Sequence, residues 1–391
     1  TLDGDATGHQ AAPAVSWNGD SYLVAWQELR SGSWDIVGTR VDRTGVVLGD
    51  TFVISDAIDD QIEPAIAYDG MGHFVVWADD RVGGGGYDIY GARVDVTGVV
   101  ADPTGVAIST AEKQQRGPSV AYDGDNWLVA WTDGRNAADI YAARVDGNVL
   151  LDPAGIEISK TNADDRKVDV ARGGTWTYIV WERLMPSNVW QLHGTAIKSD
   201  GNVHTLHGVS LAGTSPTQED PAVASAGTDA FVVAWKESGR IRARIHSFDG
   251  TALSSTASVG SGALVERDPD IAYDGATYMV AWQDGNNVNA RGFPTVDPEF
   301  AISANAALED QPALAAAEVG MLLTAYRTTG GSTRVRTRTL GNGCCDATGT
   351  GAGCLDPEVE ACVCDDDPYC CDTEWDTLCV DEVESLNCGA C

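Results

Sequence analysis

Short apolar runs that close on an aromatic recur along most of the chain. They read Tyr-Leu-Val-Ala-Trp ending at Trp26, Phe-Val-Val-Trp at Trp77, Trp-Leu-Val-Ala-Trp at Trp131 and Tyr-Ile-Val-Trp at Trp181. They continue as Phe-Val-Val-Ala-Trp at Trp235, Tyr-Met-Val-Ala-Trp at Trp282 and Leu-Leu-Thr-Ala-Tyr at Tyr326. The intervals are 51, 54, 50, 54, 47 and 44 residues. Self-similarity at a fixed period marks a repeat architecture. A proline stands 13 or 14 residues before six of the seven aromatics, at Pro13, Pro64, Pro118, Pro221, Pro269 and Pro312. In the fourth unit Val168 takes its place.

Each unit divides into four strand-like pieces. The first follows the proline, as in Pro64-Ala-Ile-Ala-Tyr68. A turn pair comes next, Asn18-Gly19, Asp69-Gly70, Asp123-Gly124 or Asp274-Gly275, a signature of type I′ hairpins. The second piece runs into the aromatic and is apolar on both faces, as expected between packed sheets. The third alternates, as in Asp88-Ile-Tyr-Gly-Ala-Arg-Val-Asp95 and Asp139-Ile-Tyr-Ala-Ala-Arg-Val-Asp146. The fourth ends in Ile-Ser at Ile54, Ile108, Ile158 and Ile302.

A small four-stranded sheet cannot cover two apolar faces alone, and packing such sheets in a closed ring covers both. The pattern therefore predicts an all-β fold, a seven-bladed β-propeller over residues 1–341, with the aromatics anchoring blade against blade. The blades fall near 13–55, 64–109, 118–159, 168–212, 221–260, 269–303 and 312–341. The seventh supplies three pieces only, and residues 1–5 are expected to complete it as a stub. An open solenoid and a string of sandwiches are the alternative arrangements. The units resemble a family of bacterial secreted propeller-like repeats, whose pattern is matched most closely by units two and three. That resemblance implies extracellular scaffold or binding roles without an established catalytic site.

Residues 342–391 are of another kind. They hold all ten cysteines: Cys344, Cys345, Cys354, Cys362, Cys364, Cys370, Cys371, Cys379, Cys388 and Cys391. An even, dense set of this kind predicts a small disulfide-rich module in an oxidising compartment. Bridges within the adjacent pairs 344/345 and 370/371 are disfavoured by strain, so each cysteine is expected to pair elsewhere. Asp356-Pro357 and Asp367-Pro368 are helix starts, with Asp at N-cap and Pro at N1. After the second, Cys371, Trp375, Leu378, Cys379, Val383 and Leu386 share one helical face. Zinc is the competing reading of the thiols, weakened by the absence of histidine and of Cys-x-x-Cys spacing. The segment resembles a cysteine-rich module at the C-termini of bacterial secreted proteins.

Composition narrows the function. The formal charge is −33, and the last 50 residues carry 13 acids with no Lys or Arg. Such a surface repels nucleic acid and anionic membrane. No apolar stretch reaches the roughly 20 residues that span a bilayer. A chain that begins at Thr1 is expected to be a mature one whose leader was removed, so the protein is read as secreted, extracellular or cell-surface.

No Gly-x-Ser-x-Gly elbow, phosphate loop or haem motif is present. His9, His73, His193, His204, His207 and His246 are scattered, and His204/His207 form a weak metal pair. Acid–Arg pairs follow several aromatics: Glu28/Arg30, Asp79–Asp80/Arg81, Asp133/Arg135 and Glu182/Arg183. Their recurrence favours blade-to-blade salt bridges and turn bonds over a hydrolase's paired carboxylates. Asp59–Asp60 and Asp365–Asp367 are the candidate calcium ligands, without the spacing of known calcium loops. No cofactor is otherwise implied. The expected function is a non-catalytic extracellular structural protein, joined to other copies through its N-terminal strand or C-terminal module. A face that binds glycan or protein is the alternative, and a polysaccharide-acting hydrolase or lyase the third.

Overall fold

The structure, a computed structural model, describes residues 2, 8–213, 216–262, 264–294, 298–303, 307–317, 321–330, 332–340, 357–372 and 377–386. Seven antiparallel sheets follow one another along the chain. Their innermost strands are Gln10–Trp17, Gln61–Tyr68, Gln115–Tyr122, Asp165–Arg172, Gln218–Ser225, Glu266–Tyr273 and Leu308–Ala316. Each innermost strand touches the next, and the last touches the first. The sheets thus stand in a closed ring around a central channel, a seven-bladed β-propeller.

The predicted anchors hold the blades together. Trp26, Trp77, Trp131, Trp181, Trp235 and Trp282 are 0% exposed and Tyr326 6%. Each packs into a cluster shared with the preceding blade: Trp131 lies among Phe74, Ile89 and Ile108 of blade two. Gly91 permits close approach there, because a Cβ at that position would stand 2.7 Å from the Phe74 ring.

The prolines mark a feature that their sequence position did not announce. Every innermost strand bulges where they occur. The residue before each proline, or before Val168, has positive φ: Ala12, Glu63, Gly117, Lys167, Asp220, Asp268 and Gln311, with φ between 48° and 57°. Proline has no N–H to give a ladder, so it fits a strand only where the ladder is already interrupted. Six of the seven left-handed residues are not glycine, and each costs about 1–2 kcal/mol. Ala12→Gly is therefore expected to raise stability by up to about 1 kcal/mol, read as a higher Tm. A lower Tm would show that the bulge is not strained.

Turn and strand details depart from expectation in two places. The Asn-Gly and Asp-Gly pairs were read as the two central residues of type I′ turns. In the structure Asn or Asp is the first corner, and the following glycine alone has positive φ, 97° at Gly19 and 98° at Gly70. That is the type II′ pattern. The acid or amide side chain sets it: Asp69 Oδ1 accepts from the N–H of Met71 at 2.7 Å and of Gly72 at 2.8 Å. Blade three has five strands rather than four. Its outer strand is broken between Val149–Leu150 and Ile156–Ser159, where the Asp152 carboxylate takes the backbone N–H of Arg144 at 3.0 Å.

Among the described residues blade seven shows three strands, and Ser332–Leu340 is the outermost of them. Of the stub expected to complete it, only Leu2 lies within the described residues. Leu2 is 6% exposed and packs with Leu323, Ala325 and Val335 of blade seven and Val24 and Trp26 of blade one. In the other blades a matching apolar residue, Ile54, Ile108, Ile158, Leu211, Val259 or Ile302, precedes the proline position by ten residues. Leu2 precedes Pro13 by eleven. Polar bonds reinforce the seam: Gln10 Oε1 accepts from Val335 N at 3.0 Å, and Ala12 N donates to Gln311 Oε1 at 3.0 Å.

The C-terminal module holds α1 (Pro357–Asp366), α2 (Tyr369–Asp372) and α3 (Thr377–Ser385). Asp367 caps α2, its Oδ1 accepting from Tyr369 N at 3.0 Å. The second helix read from the sequence is thus two helices. Cys370 and Cys371 bond to Cys379 and Cys364 respectively, with Cα–Cα distances of 5.8 Å, and Cys362 is also disulfide-bonded. Val363, Cys370, Cys379 and Val383 form the core. Leu378, expected on the buried face, is 64% exposed, because Cys379 and Val383 set the face that turns inward. Cys344, Cys345, Cys354, Cys388, Cys391 and Trp375 lie outside the described residues.

Candidate functional site

The central channel is the natural place to look for chemistry in a ring of strands. It encloses about 570 Å³ and is lined by all seven innermost strands. The residue after each proline position faces it. In four blades this is alanine, and in the others it is Ser119, Asp169 and Asp270. Each of these three side chains reaches the next blade. Ser119 Oγ accepts from Val170 N at 3.2 Å, Asp169 Oδ2 from Val223 N at 2.8 Å, and Asp270 Oδ2 from Leu314 N at 2.6 Å. Ser119 also donates to Asp169 Oδ1 at 2.9 Å. The channel carboxylates are therefore acceptors that tie blade to blade.

Their environment raises their pKa. Burial, then the charge of Asp169, pushes Asp270 up to about 7, and burial raises Asp169. A folded-state pKa above the unfolded value means the folded form holds its proton longer. The stability this gives is complete below about pH 4 and is lost as pH rises through about 7. Asp270→Asn is therefore expected to gain Tm relative to the parent between pH 4 and 8. Parallel Tm curves would contradict the placement of Asp270.

At the mouth, Lys167 is ion-paired with Asp220 and lies 3.6 Å from Glu182. Burial alone would lower the Lys167 pKa, but those two acids outweigh it and hold the ammonium charged. Burial and the Asp220 charge raise Asp268 beside them. Across the seam a second cleft of about 390 Å³ holds Trp34, Glu63, Arg116 and Arg327. Arg116 is bound to Glu63 at 2.6 Å and Arg327 to Asp310 at 2.7 Å.

The acid–Arg pairs do not line a face. Asp79 and Asp133 are 0% exposed. Trp77 donates its indole N–H to Asp79 at 2.7 Å, and Trp131 to Asp133 at 2.9 Å. Arg81 and Arg135 then grip the same carboxylates through two nitrogens each, at 2.7–2.8 Å and 2.9 Å. Each guanidinium lies over a tyrosine of the third strand, Tyr90 at 3.8 Å and Tyr141 at 3.9 Å. These are locks within one blade, which corrects the expectation of blade-to-blade bridges. In blade four the two residues part company: Arg183 binds Asp165 at 2.8 Å, and Glu182 binds Arg166 at 2.8 Å and Asp220 N of the next blade at 2.5 Å. In blade one Glu28 accepts from Trp26 at 3.3 Å and from Gln10 at 2.8 Å.

Asp59, Asp60, Asp365 and Asp366 join no cluster of three donor side chains among the described residues. Asp60 Oδ1 accepts from Trp34 N at 2.9 Å, which makes Asp60 a link between blades one and two. The one cluster of three donor side chains among the described residues is Asp367, Cys370 and Glu382, and the Cys370 sulfur is already bonded to Cys379. His204 stands edge-on to Trp176 at 5.4 Å, whereas His207 Nδ1 meets Lys160 N at 3.2 Å. Burial lowers His73, His193 and His246 to about 4, so these imidazoles are neutral.

A ring of buried polar side chains escaped the sequence reading. Gln10, Gln61, Gln115, Asp165, Gln218, Glu266 and Glu309 are all 0% exposed, and each stands three residues before its proline position. Several accept a backbone N–H from the blade before: Val335 gives to Gln10 at 3.0 Å, Leu192 to Gln218 at 3.2 Å and Ile241 to Glu266 at 2.6 Å. The signal was the fixed offset of a polar residue, which in one unit alone looks like an exposed side chain.

No known family model matches the chain, and no curated protein matches it. Solved structures do. The α-L-arabinanase of Penicillium chrysogenum with arabinobiose matches at TM-score 0.53 and 11% identity, over 73% of this chain and 93% of that one. A protein of unknown function from Dyadobacter fermentans matches at 0.52 and 12%, over 85% and 95%. The propeller domain of the Trilobed protease from Pyrococcus furiosus, described as having an open velcro topology, matches at 0.51 and 10%, over 84% and 97%. At these identities the likeness establishes the propeller fold alone.

Proposed function

We propose that the protein is a non-catalytic extracellular scaffold that joins copies of itself through blade seven. The observation that carries this reading is the edge of Ser332–Leu340. This nine-residue strand pairs only with Leu322–Gly330 among the described residues, while each of the other six blades has at least one further strand at that place. The first half of this edge is held by the same chain, since Thr333 N donates to His9 Nδ1 and Val335 N to Gln10 Oε1. The half beyond Val335 is an open edge, and an open edge is a template for strand addition. The occupant we propose is the N-terminal segment of a second copy, residues 1–7. In the single chain its own Leu2 fills the apolar site that Ile54 and its counterparts fill elsewhere, and in the assembly we propose that the Leu2 of a second copy takes that place. Exchange of that stub between copies is a low-cost route to association, and a contact that does not close on itself extends into a chain. Charge supports the match: Asp3 and Asp5 belong to the stub, and Arg336 and Arg338 are exposed on the strand.

The non-catalytic part rests on the carboxylates. Asp169 and Asp270 in the channel and Asp79 and Asp133 behind the tryptophans are engaged as latches. The secreted part rests on the bonded cysteines of the tail. Light scattering of the full chain is expected to show mass that grows with concentration. Arg336→Glu is expected to leave a monomer of nearly unchanged Tm, and Leu2→Asp a monomer of lower Tm, because it puts a charge into the apolar cluster that Leu2 fills. A parent that stays monomeric at every concentration contradicts the proposal. A second reading, recognition of an extracellular ligand by a propeller face, is favoured by the cleft across the seam that holds Trp34 and Arg116.

A further inference from the structure

The position four residues before each anchor is filled by Tyr22, Trp127, Phe231, Tyr278 and Leu322 in five blades and by Thr177 in blade four. In blade two it is His73, which is 1% exposed. Neither ring nitrogen of His73 has a hydrogen-bond partner. Buried polar groups are nearly always satisfied, so an imidazole left bare in place of an aromatic calls for an explanation. His73 lines a cleft of about 320 Å³ between blades two and three, on the face that carries the first hairpin turns. That volume lies within the range of small-molecule sites. The Tyr68 ring covers the imidazole at 5.1 Å. The half-buried Tyr122 ring, braced by Trp127 at 5.1 Å, also lines the cleft.

We infer that this cleft binds the ring of a neutral sugar, with the ring's C–H face on Tyr122 and hydroxyls on His73, whose nitrogens are closed from solvent and are reached when the covering Tyr68 ring swings aside. Asp69, Asp95, Asp125 and Asp146 surround the opening and repel an anion. Arg93 does not offset them, because Asp102 grips it through two nitrogens at 2.7 and 2.8 Å. A metal ion lacks ligands, since no cluster of three donor side chains among the described residues includes His73. An apolar ligand would leave both nitrogens unpaired. A neutral imidazole has one donor and one acceptor nitrogen, and a pair of sugar hydroxyls supplies the complement. Aromatic faces suit the apolar side of such a ring. This site is independent of the blade-seven edge, so its test and the assembly test fail separately.

The test is a titration of the full chain with methyl α-glucoside, methyl β-galactoside, methyl α-mannoside and N-acetylglucosamine. Each is carried to about 10 mM, ten times a millimolar Kd. The His73 Cε1–H resonance is followed. At least one sugar is expected to shift it saturably. His73→Phe, which installs the residue blade five already carries as Phe231, is expected to keep the Tm and to weaken binding at least tenfold, read by saturation-transfer signals from the sugar. Tyr122→Ala is expected to do the same, and it carries the test alone if His73→Phe lowers the Tm. The inference is overturned if no sugar moves the resonance, if the variant that keeps its Tm binds as the parent does, or if an ordered water satisfies His73 and every sugar is inert.

Discussion

Trp131→Ala is expected to destabilise the ring by about 3–5 kcal/mol, the cost of deleting a large aromatic from a packed interior. The side chain is 0% exposed and fills the joint between blades two and three, among Phe74, Ile89 and Ile108. Its removal also takes the indole N–H from the buried Asp133, which keeps only its bonds to Arg135. Trp131→Phe separates the two contributions. It preserves much of the volume and loses the bond to a charged acceptor, about 1.5–3 kcal/mol. Urea midpoints followed by the remaining tryptophans measure both. A loss under about 1 kcal/mol for the alanine variant would mean that the anchors do not carry the joint between blades.

Gln10→Leu is the second large expected effect, and it acts on the seam. Gln10 Oε1 takes Val335 N–H at 3.0 Å and Nε2 gives to Glu28 at 2.8 Å. Leucine cannot do either. It leaves a buried N–H without a partner and a buried carboxylate short of one donor, at a cost of about 2–4 kcal/mol. Gln61→Leu is the control. Gln61 Nε2 reaches Ile58 O at 3.3 Å and Asp59 O at 3.0 Å, and its loss leaves the blade-seven seam intact. Hydrogen exchange separates them. Gln10→Leu is expected to speed exchange in Ser332–Leu340 first, and Gln61→Leu is not. Equal acceleration around the ring in both would show that the seam has no separate stability.

The ring and its blade joints were legible because burial repeats. An apolar run buried on both faces has to lie between sheets, and seven such runs ending at Trp26 through Tyr326 admit few other closures. The tail was legible for a similar reason: Asp367 before Pro368 reads as a cap, and adjacent cysteines cannot easily bridge each other. The candidate site was not legible in the same way. Asp79 and Asp133 read as loop acids beside an arginine. Only the fold shows that an indole N–H waits within one blade to bury them. Gln10 and Gln218 carry no signal in one unit alone, because the backbone N–H that each meets, Val335 N for Gln10 and Leu192 N for Gln218, belongs to the blade before. The positive φ at Glu63 and Lys167 was hidden for a different reason. Left-handed residues are usually glycine or asparagine, and here the proline position that follows, with the bulge it occupies, sets the backbone instead. His73 looked like one more scattered histidine until its counterparts in the other blades proved to be mostly aromatic.

The most direct test of the scaffold account is an electron-microscopy reconstruction of the full chain as it is released from its source. The account predicts propellers in a row, with the N-terminal segment of one copy seated on the Ser332–Leu340 edge of the next beyond Val335. Single rings whose blade seven is completed by their own N-terminal residues would contradict it.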